Sequence, residues 1–355
     1  MKNAIRYCFL FVIILFSCCS KKQEISEEII VVDGFEESVL SLEMKARPSG
    51  IRILDSDNYL IGDIWDWCQD DSMIYLLDNV SGSLVKCNAI TGKVLSHVCY
   101  RGEGPGGYSN PYAIDSDDSF VYVSDLATMR LLVYDKNFAP HDELKLPFAF
   151  SDFIKLKEGF LFCNLTPTSQ YNLFVYTDDE GRILNQFVES NLPGGYTGGR
   201  VFQQDENGTV YALAPYGNEL YRWSDGELEL VYQIDFLEKN LVVTPEKGYL
   251  DASIMADSED YAYNSDFFIT DDWFIHSFLY KRKRYYNFYN RESRENHIGI
   301  VESGETKLPF FPRWQHGRTL TGFAPIEYVR SYFESNKMVL PEDTEEYVLI
   351  DYELE

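Results

Sequence analysis

Few residues in this chain sit at spacings that do chemistry. Five histidines, His97, His141, His276, His297 and His316, are scattered, and no two have the H-x-H or H-E-x-x-H spacing that puts two imidazoles on one metal. No G-x-S-x-G turn is present to expose a serine nucleophile. Cys68, Cys87, Cys99 and Cys163 form no C-x-x-C pair, which removes zinc and thioredoxin-type readings. Each reads as a buried free thiol in an apolar context, and a disulfide among Cys68, Cys87 and Cys99 is open in an oxidising compartment. Asp115, Asp117 and Asp118 are dense but belong to one turn, whereas calcium needs several converging oxygens. No metal and no cofactor is implied. A carboxylate pair for glycoside hydrolysis cannot be picked among 57 acids, because the fold sets its separation.

Two glycine-rich loops remain. Gly102–Tyr108, preceded by Arg101, could turn amide N–H groups towards an anion, but no helix follows it, so a phosphate-loop reading fails. It reads as a structural crossing, with Arg101, Glu103 and Tyr108 as its candidate ligand contacts. The second, Gly194–Arg200, offers Tyr196 and Arg200. Tyr280-Lys281-Arg282-Lys283-Arg284-Tyr285-Tyr286 is the one basic cluster, and reads as a solvated hairpin tip. The formal charge is −26. Nucleic acid and anionic surfaces are therefore poor partners.

The elements that must position these residues announce themselves as a repeat. Asp71–Asp78 is echoed 47 residues later by Asp118–Asp125, and Leu84–Cys87 by Leu131–Tyr134. Short β-rich runs at this period, separated by turn residues, are the signature of propeller blades. Further copies follow at Gly159–Cys163 with Asn172–Tyr176, at Gly208–Leu213 with Glu219–Trp223, and at Asp272–His276 with Tyr285–Tyr289. That makes five blades between roughly residues 60 and 302, each a four-stranded antiparallel meander. The sixth must come from the ends: Phe310–Phe323, a final strand at Glu346–Leu354, and N-terminal strand material from Val39–Asp55. Ile326–Asn336 has helical spacing and reads as an insertion. Asp78 and Asp125 recur at the same blade position, which argues for a shared structural task as turn caps. Aromatic residues, 15% of the chain, suit packing between such sheets.

Arg101–Tyr108 followed by Asn110-Pro111-Tyr112-Ala113-Ile114 resembles the G-x-G-P-G-E-[FY]…P motif of six-bladed β-propeller proteins, secreted and often lipid-anchored in Gram-negative bacteria and distantly similar to NHL-repeat propellers. Val121–Asp125 and Arg130–Asp135 continue the likeness, and Glu346–Tyr352 is similar to the family's terminal pattern, with Glu345-Glu346 where Asn-Pro is usual. The resemblance implies an all-β, six-bladed fold over residues 35–355. It implies no activity.

Residues 1–17 read as a signal peptide. Lys2 and Arg6 precede an apolar run, Phe9–Phe16, whose helical length of about 12 Å falls short of a bilayer core of about 30 Å. Leu15-Phe16-Ser17-Cys18 resembles the bacterial lipobox, which would make Cys18 the lipidated N-terminus; in an ordinary signal peptide Cys18 is incidental. Residues 18–34 read as a polar tether. The expected protein is thus an outer-membrane lipoprotein of the cell envelope, facing periplasm or surface. Its expected role is a non-catalytic module binding a glycan or a protein through one propeller face. A carbohydrate-active or NHL-like lyase in the central channel is the alternative, and a scaffold in a membrane complex is the third reading.

Overall fold

The structure is a computed structural model that describes residues 28–42, 45–55, 59–168, 170–190, 200–213, 216–241, 260–302, 308–336 and 347–354. Three short strands come first, β1 (Glu28–Val31), β2 (Val39–Ser41) and β3 (Ala46–Ile53). Six four-stranded antiparallel units follow, and they make a six-bladed β-propeller.

Blade 1 holds β4 (Ile64–Gln69), β5 (Met73–Asp78), β6 (Ser83–Asn88) and β7 (Val94–Val98). Blade 2 holds β8 (Pro111–Ser116), β9 (Phe120–Asp125), β10 (Arg130–Asp135) and β11 (Pro140–Lys145). Blade 3 holds β12 (Phe150–Lys155), β13 (Phe160–Asn164), β14 (Phe174–Thr177) and β15 (Ile183–Phe187). Blade 4 holds β16 (Phe202–Gln204), β17 (Val210–Leu213), β18 (Glu219–Ser224) and β19 (Glu227–Asp235). Blade 5 holds β20 (Tyr263–Ile269), β21 (Trp273–Tyr280), β22 (Lys283–Asn290) and β23 (Asn296–Glu302). Blade 6 is built from both ends of the chain: β24 (Pro312–His316), β25 (Thr319–Pro325) and β26 (Tyr347–Leu354), with β3 as its outer strand. This antiparallel clasp closes the ring and removes the free edges of a linear array. The helix α1 (Ile326–Ser335) is inserted before β26 and buries Ile326, Val329 and Phe333.

The N-terminal segment corrects two expectations. Residues 28–31 are no tether: β1 pairs in parallel with β19 and lengthens blade 4 to five strands. Of the Val39–Asp55 region, only β3 joins the closing blade, because β2 pairs in parallel with β23 of blade 5. An outer strand with one unpaired edge accepts any extended segment within reach, and local polarity does not forbid it. The lipidation candidate Cys18 lies outside the described residues.

Aromatic side chains fill the seams. Phe148, Phe150, Phe153, Phe160 and Phe162 meet between blades 2 and 3 with Ala113, Tyr122 and Leu131. Gly159 shows how tightly the turns close. Its φ is +76°, and a methyl group there would lie 1.8 Å from the Thr177 carbonyl oxygen. Cys68, Cys87 and Cys163 are buried free thiols, but Cys99 is exposed, because it follows the outer strand of blade 1 at the rim.

Deleting residues 347–355 removes β26, to which both β25 and β3 pair. The truncated chain is expected to lose its cooperative thermal transition and its near-UV circular dichroism. Retention of both would show that five blades and a fragment suffice.

Candidate ligand site in the central channel

Six inner strands, β4, β8, β12, β16, β20 and β24, surround the channel. Five of them break register with their neighbour, at Ile64/Asp66, Pro111/Ile114, Phe150/Asp152, Asn264/Phe267 and Pro312/Trp314. A bulge inserts an extra residue and re-aims side chains. Near these shifts stand Asp66, Asp152, Asp266 and Arg313.

The channel carboxylates stitch one blade to the next. Asp66 Oδ2 accepts the Ile114 N–H at 2.9 Å, Asp115 Oδ2 the Lys155 N–H at 2.7 Å, and Asp152 Oδ2 the Val201 N–H at 2.7 Å. Gln315 does the same between blades 6 and 5, with Oε1 accepting the Ile269 N–H and Nε2 donating to the Ile269 carbonyl. Trp314 Nε1 donates to Asp66 Oδ1 at 3.4 Å and its ring stacks on Trp67 at 4.3 Å, which joins blade 6 to blade 1.

Arg200 supplies the counter-charge. It precedes β16, its side chain is 16% exposed, and its Nε and Nη2 lie 3.8 Å from Asp66 and 3.9 Å from Asp152. Nη1 donates to the Trp67 carbonyl at 2.9 Å and Nη2 to the Ile114 carbonyl at 3.3 Å. One guanidinium thus touches three blades and belongs to a fourth. Burial works against its charge, but Asp66, Asp152 and Asp115 outweigh this and hold it above the usual arginine range. Burial pushes the Asp152 carboxyl up to about 7 against the pull of Arg200, and it raises Asp115 as well. A sister cluster lies on β20. There Asp266 accepts from Arg284 at 2.6 Å, and Arg313 Nε stands 3.6 Å away.

Where the inner strands end, the channel widens into a cavity of about 350 Å³. Trp67, Ile154, Phe202 and Trp314 supply apolar wall. Gln69, Gln203, Gln204, Gln315, Asp115, Asp205, Glu206, Arg200 and His316 supply polar groups. Most of the charge is already engaged. Asp205 caps its own turn through the Asn207 and Thr209 N–H groups. Glu206 pairs with Arg318 at 2.9 Å and accepts the Asp271 N–H.

The residues singled out in the sequence part company here. Arg200 is in the cavity wall. Tyr108 is fully buried, so its ring meets no ligand: its hydroxyl donates to the Gly82 carbonyl at 2.6 Å and accepts the Tyr100 N–H. A residue flanked by four glycines looks accessible in sequence, but the loop folds over it. Arg101 and Glu103 are exposed, and Arg101 reaches the Asn79 carbonyl at 3.4 Å. Their loop leads to the start of β8, whereas the cavity opens where the inner strands end. Tyr196 lies outside the described residues. Asp115 and Asp117 have separate partners: Asp117 caps the turn through the Ser119 and Phe120 N–H groups and accepts from Tyr122. Among the described residues, no group of three His, Cys, Asp or Glu could hold a metal ion.

Asp78 and Asp125 do cap. Asp78 accepts from Tyr59, Gly62, Asp63, Val80 and Ser81, and Asp125 from Ser109, Asn110, Thr128 and Arg130. Burial opposes their charge, but these bonds prevail and hold both carboxyls low. In the basic cluster, Tyr280, Tyr285 and Tyr286 are buried and Arg284 is paired with Asp266, which leaves Lys281, Arg282 and Lys283 exposed at the tip.

Asp66 and Asp152 were missed in the sequence. A signal existed: Ser151-Asp152-Phe153 and Ser265-Asp266-Phe267 repeat at the same place in their blades, and Trp65-Asp66-Trp67 is a variant.

Comparison with known proteins agrees with this architecture. Residues 55–351 match the family described as a domain of unknown function, DUF4934. The chain belongs to that family. A search of curated protein sequences finds no match. A Bacteroides fragilis protein provisionally described as exported is similar in structure, with a TM-score of 0.73 and 16% identity over 92% of this chain and 99% of that one. A member of the DUF4221 family from Bacteroides vulgatus gives a TM-score of 0.54 and 10% identity over 88% of this chain and 99% of that one. At such identities these likenesses speak for the DUF4934 chain's fold alone.

Arg200→Met strands three carboxylates. It should lower stability by about 3–5 kcal/mol in urea unfolding at pH 7, and adding Asp152→Asn should recover part of the loss. Unchanged stability would remove Arg200 from the frame. Asp152 also leaves a pH signature. Its folded pKa lies above its unfolded value of about 3.9, so between about pH 4 and 7 the native state binds the extra proton and stability falls as pH rises. Relative to wild type, Asp152→Asn should therefore gain thermal stability progressively across that window. A constant offset at all pH values would contradict the assignment.

Proposed function

We propose that the protein is an exported, lipid-anchored propeller that works as a non-catalytic binding module, with the channel cavity as its ligand site. The observation that carries this reading is a division of labour among polar groups. The channel carboxylates spend their oxygens on inter-blade N–H groups and on Arg200, while the buried Oε1 of Gln69 in the cavity wall has no hydrogen-bond partner among the described residues. Gln203 and Gln204 line the same cavity. A concave pocket with a few convergent polar groups is the ordinary form of a small-molecule site.

The lyase or hydrolase alternative rests on Asp152, since a carboxyl near neutrality is a common mark of catalysis. Asp152 does not line the cavity, and its oxygens accept the Phe153 and Val201 N–H groups. Its displaced pKa follows from burial in a structural network. Export and anchoring rest on residues 1–18, with Cys18 as the acylated residue.

Cys18→Ser is expected to move the protein from the membrane fraction to the soluble fraction and to abolish incorporation of radiolabelled palmitate. Continued membrane residence would remove the anchor. For the binding role, any small molecule that raises the melting temperature should be recovered chemically unchanged after prolonged incubation. Product formation that Asp152→Asn abolishes would favour the enzyme instead.

A further inference from the structure

We infer that the channel cavity takes a neutral, hydroxyl-rich ligand, a sugar unit, and rejects anions. This rests on the cavity being a binding site, and it follows from which of its groups are left with unmet valence.

Gln69, on blade 1, carries the decisive group. It lines the cavity, and its Oε1 is a buried oxygen with no hydrogen-bond partner among the described residues. Buried polar atoms are normally satisfied by protein or by something bound. Gln203, 5% exposed, and Gln204 beside it line the same cavity from blade 4. Each amide offers two donors and one acceptor oxygen, and a sugar hydroxyl is likewise both donor and acceptor. An amide trio matches a ring of hydroxyls better than it matches a full charge of either sign.

The fixed charges narrow the choice further. Among the described lining residues, Asp115, Asp205 and Glu206 face one arginine, Arg200, and one histidine, His316, which stands 3.8 Å from Asp71. Arg200 cannot serve as an anion clamp, since its Nη1 and Nη2 donate to the Trp67 and Ile114 carbonyls and its charge faces Asp66 and Asp152. A uronate, phosphate or sulfate would enter a field of excess negative charge, with no free arginine or lysine among the described lining residues to meet it. The volume of about 350 Å³ sits at the small end of ligand pockets and suits about one or two sugar rings.

The test uses the full chain in detergent and isothermal titration calorimetry. The probes are glucose, galactose, mannose, N-acetylglucosamine, cellobiose and maltose, with glucosamine as a cationic control and glucuronate as an anionic one. At least one neutral sugar should bind and glucuronate should not. Gln203→Leu should weaken that binding about tenfold. Gln204→Ala, at an exposed position that cannot upset the fold, should weaken it severalfold with an unchanged melting temperature. If glucosamine or glucuronate binds instead and Gln203→Leu abolishes it, the site stands and the sugar assignment falls. If no probe binds, or a bound sugar ignores both substitutions, both readings of the cavity fall.

Discussion

The hydrogen bonds that run from channel carboxylates to the backbone of the next blade hold this ring in register. Apolar packing between twisted sheets is strong but not directional. It would let neighbouring blades slide by a fraction of a residue. The bonds from Asp66 to Ile114, Asp115 to Lys155 and Asp152 to Val201 each join a fixed side chain to one N–H of the following blade, and so set the angle between blades. Several carboxylates close together in a narrow channel repel one another. That is why a single guanidinium must reach in from the link before blade 4, and why Arg200 contacts three blades that are distant from it in sequence.

This framing charge network decides how the channel can be used. A carboxyl displaced towards neutrality beside an arginine resembles a catalytic acid, yet what displaces Asp152 is structural: it is buried close to Asp66, and its oxygens, bonded to the Phe153 and Val201 N–H groups, sit behind the cavity wall. Chemistry is left to what the frame does not consume. On the side where the inner strands end, that remainder includes Gln69, whose Oε1 has no partner among the described residues, together with Gln203 and Gln204. It is on this remainder that our proposal of a neutral polar ligand rests.

The Gly102–Tyr108 loop illustrates the opposite case, in which residues suggestive of binding turn out to be scaffolding. Gly106 has φ +69°, and a methyl group there would lie 2.5 Å from Pro140. The Tyr134 hydroxyl donates to the Gly106 carbonyl at 2.5 Å, and Arg130 to that of Gly107 at 2.9 Å. The glycines let the crossing lie flat on blade 2 while Tyr108 plugs the seam beneath it. Asp78 and Asp125 complete the pattern, each anchoring the segment that leads into the inner strand of its own blade.

The sequence by itself determined the blade. Period, strand pattern, turn chemistry and the recurring Asp78/Asp125 position are local, and a repeated local unit that cannot bury both faces alone must stack into a ring. The closing strand β26, the inserted helix and the crossing loop were legible for the same reason. Only the tertiary structure decided the site. Asp66, Asp115, Asp152, Arg200 and Gln203 come from four blades; the recurring motif around Asp66 and Asp152 marks a like place in each blade, but no local pattern encodes that Arg200 and Gln203 meet them on one axis. The same limit hid the fate of residues 28–31 and 39–41, whose partners β19 and β23 lie about 200 or more residues away in the chain. Local propensity sets what a segment can become, while closure of the ring sets what it touches.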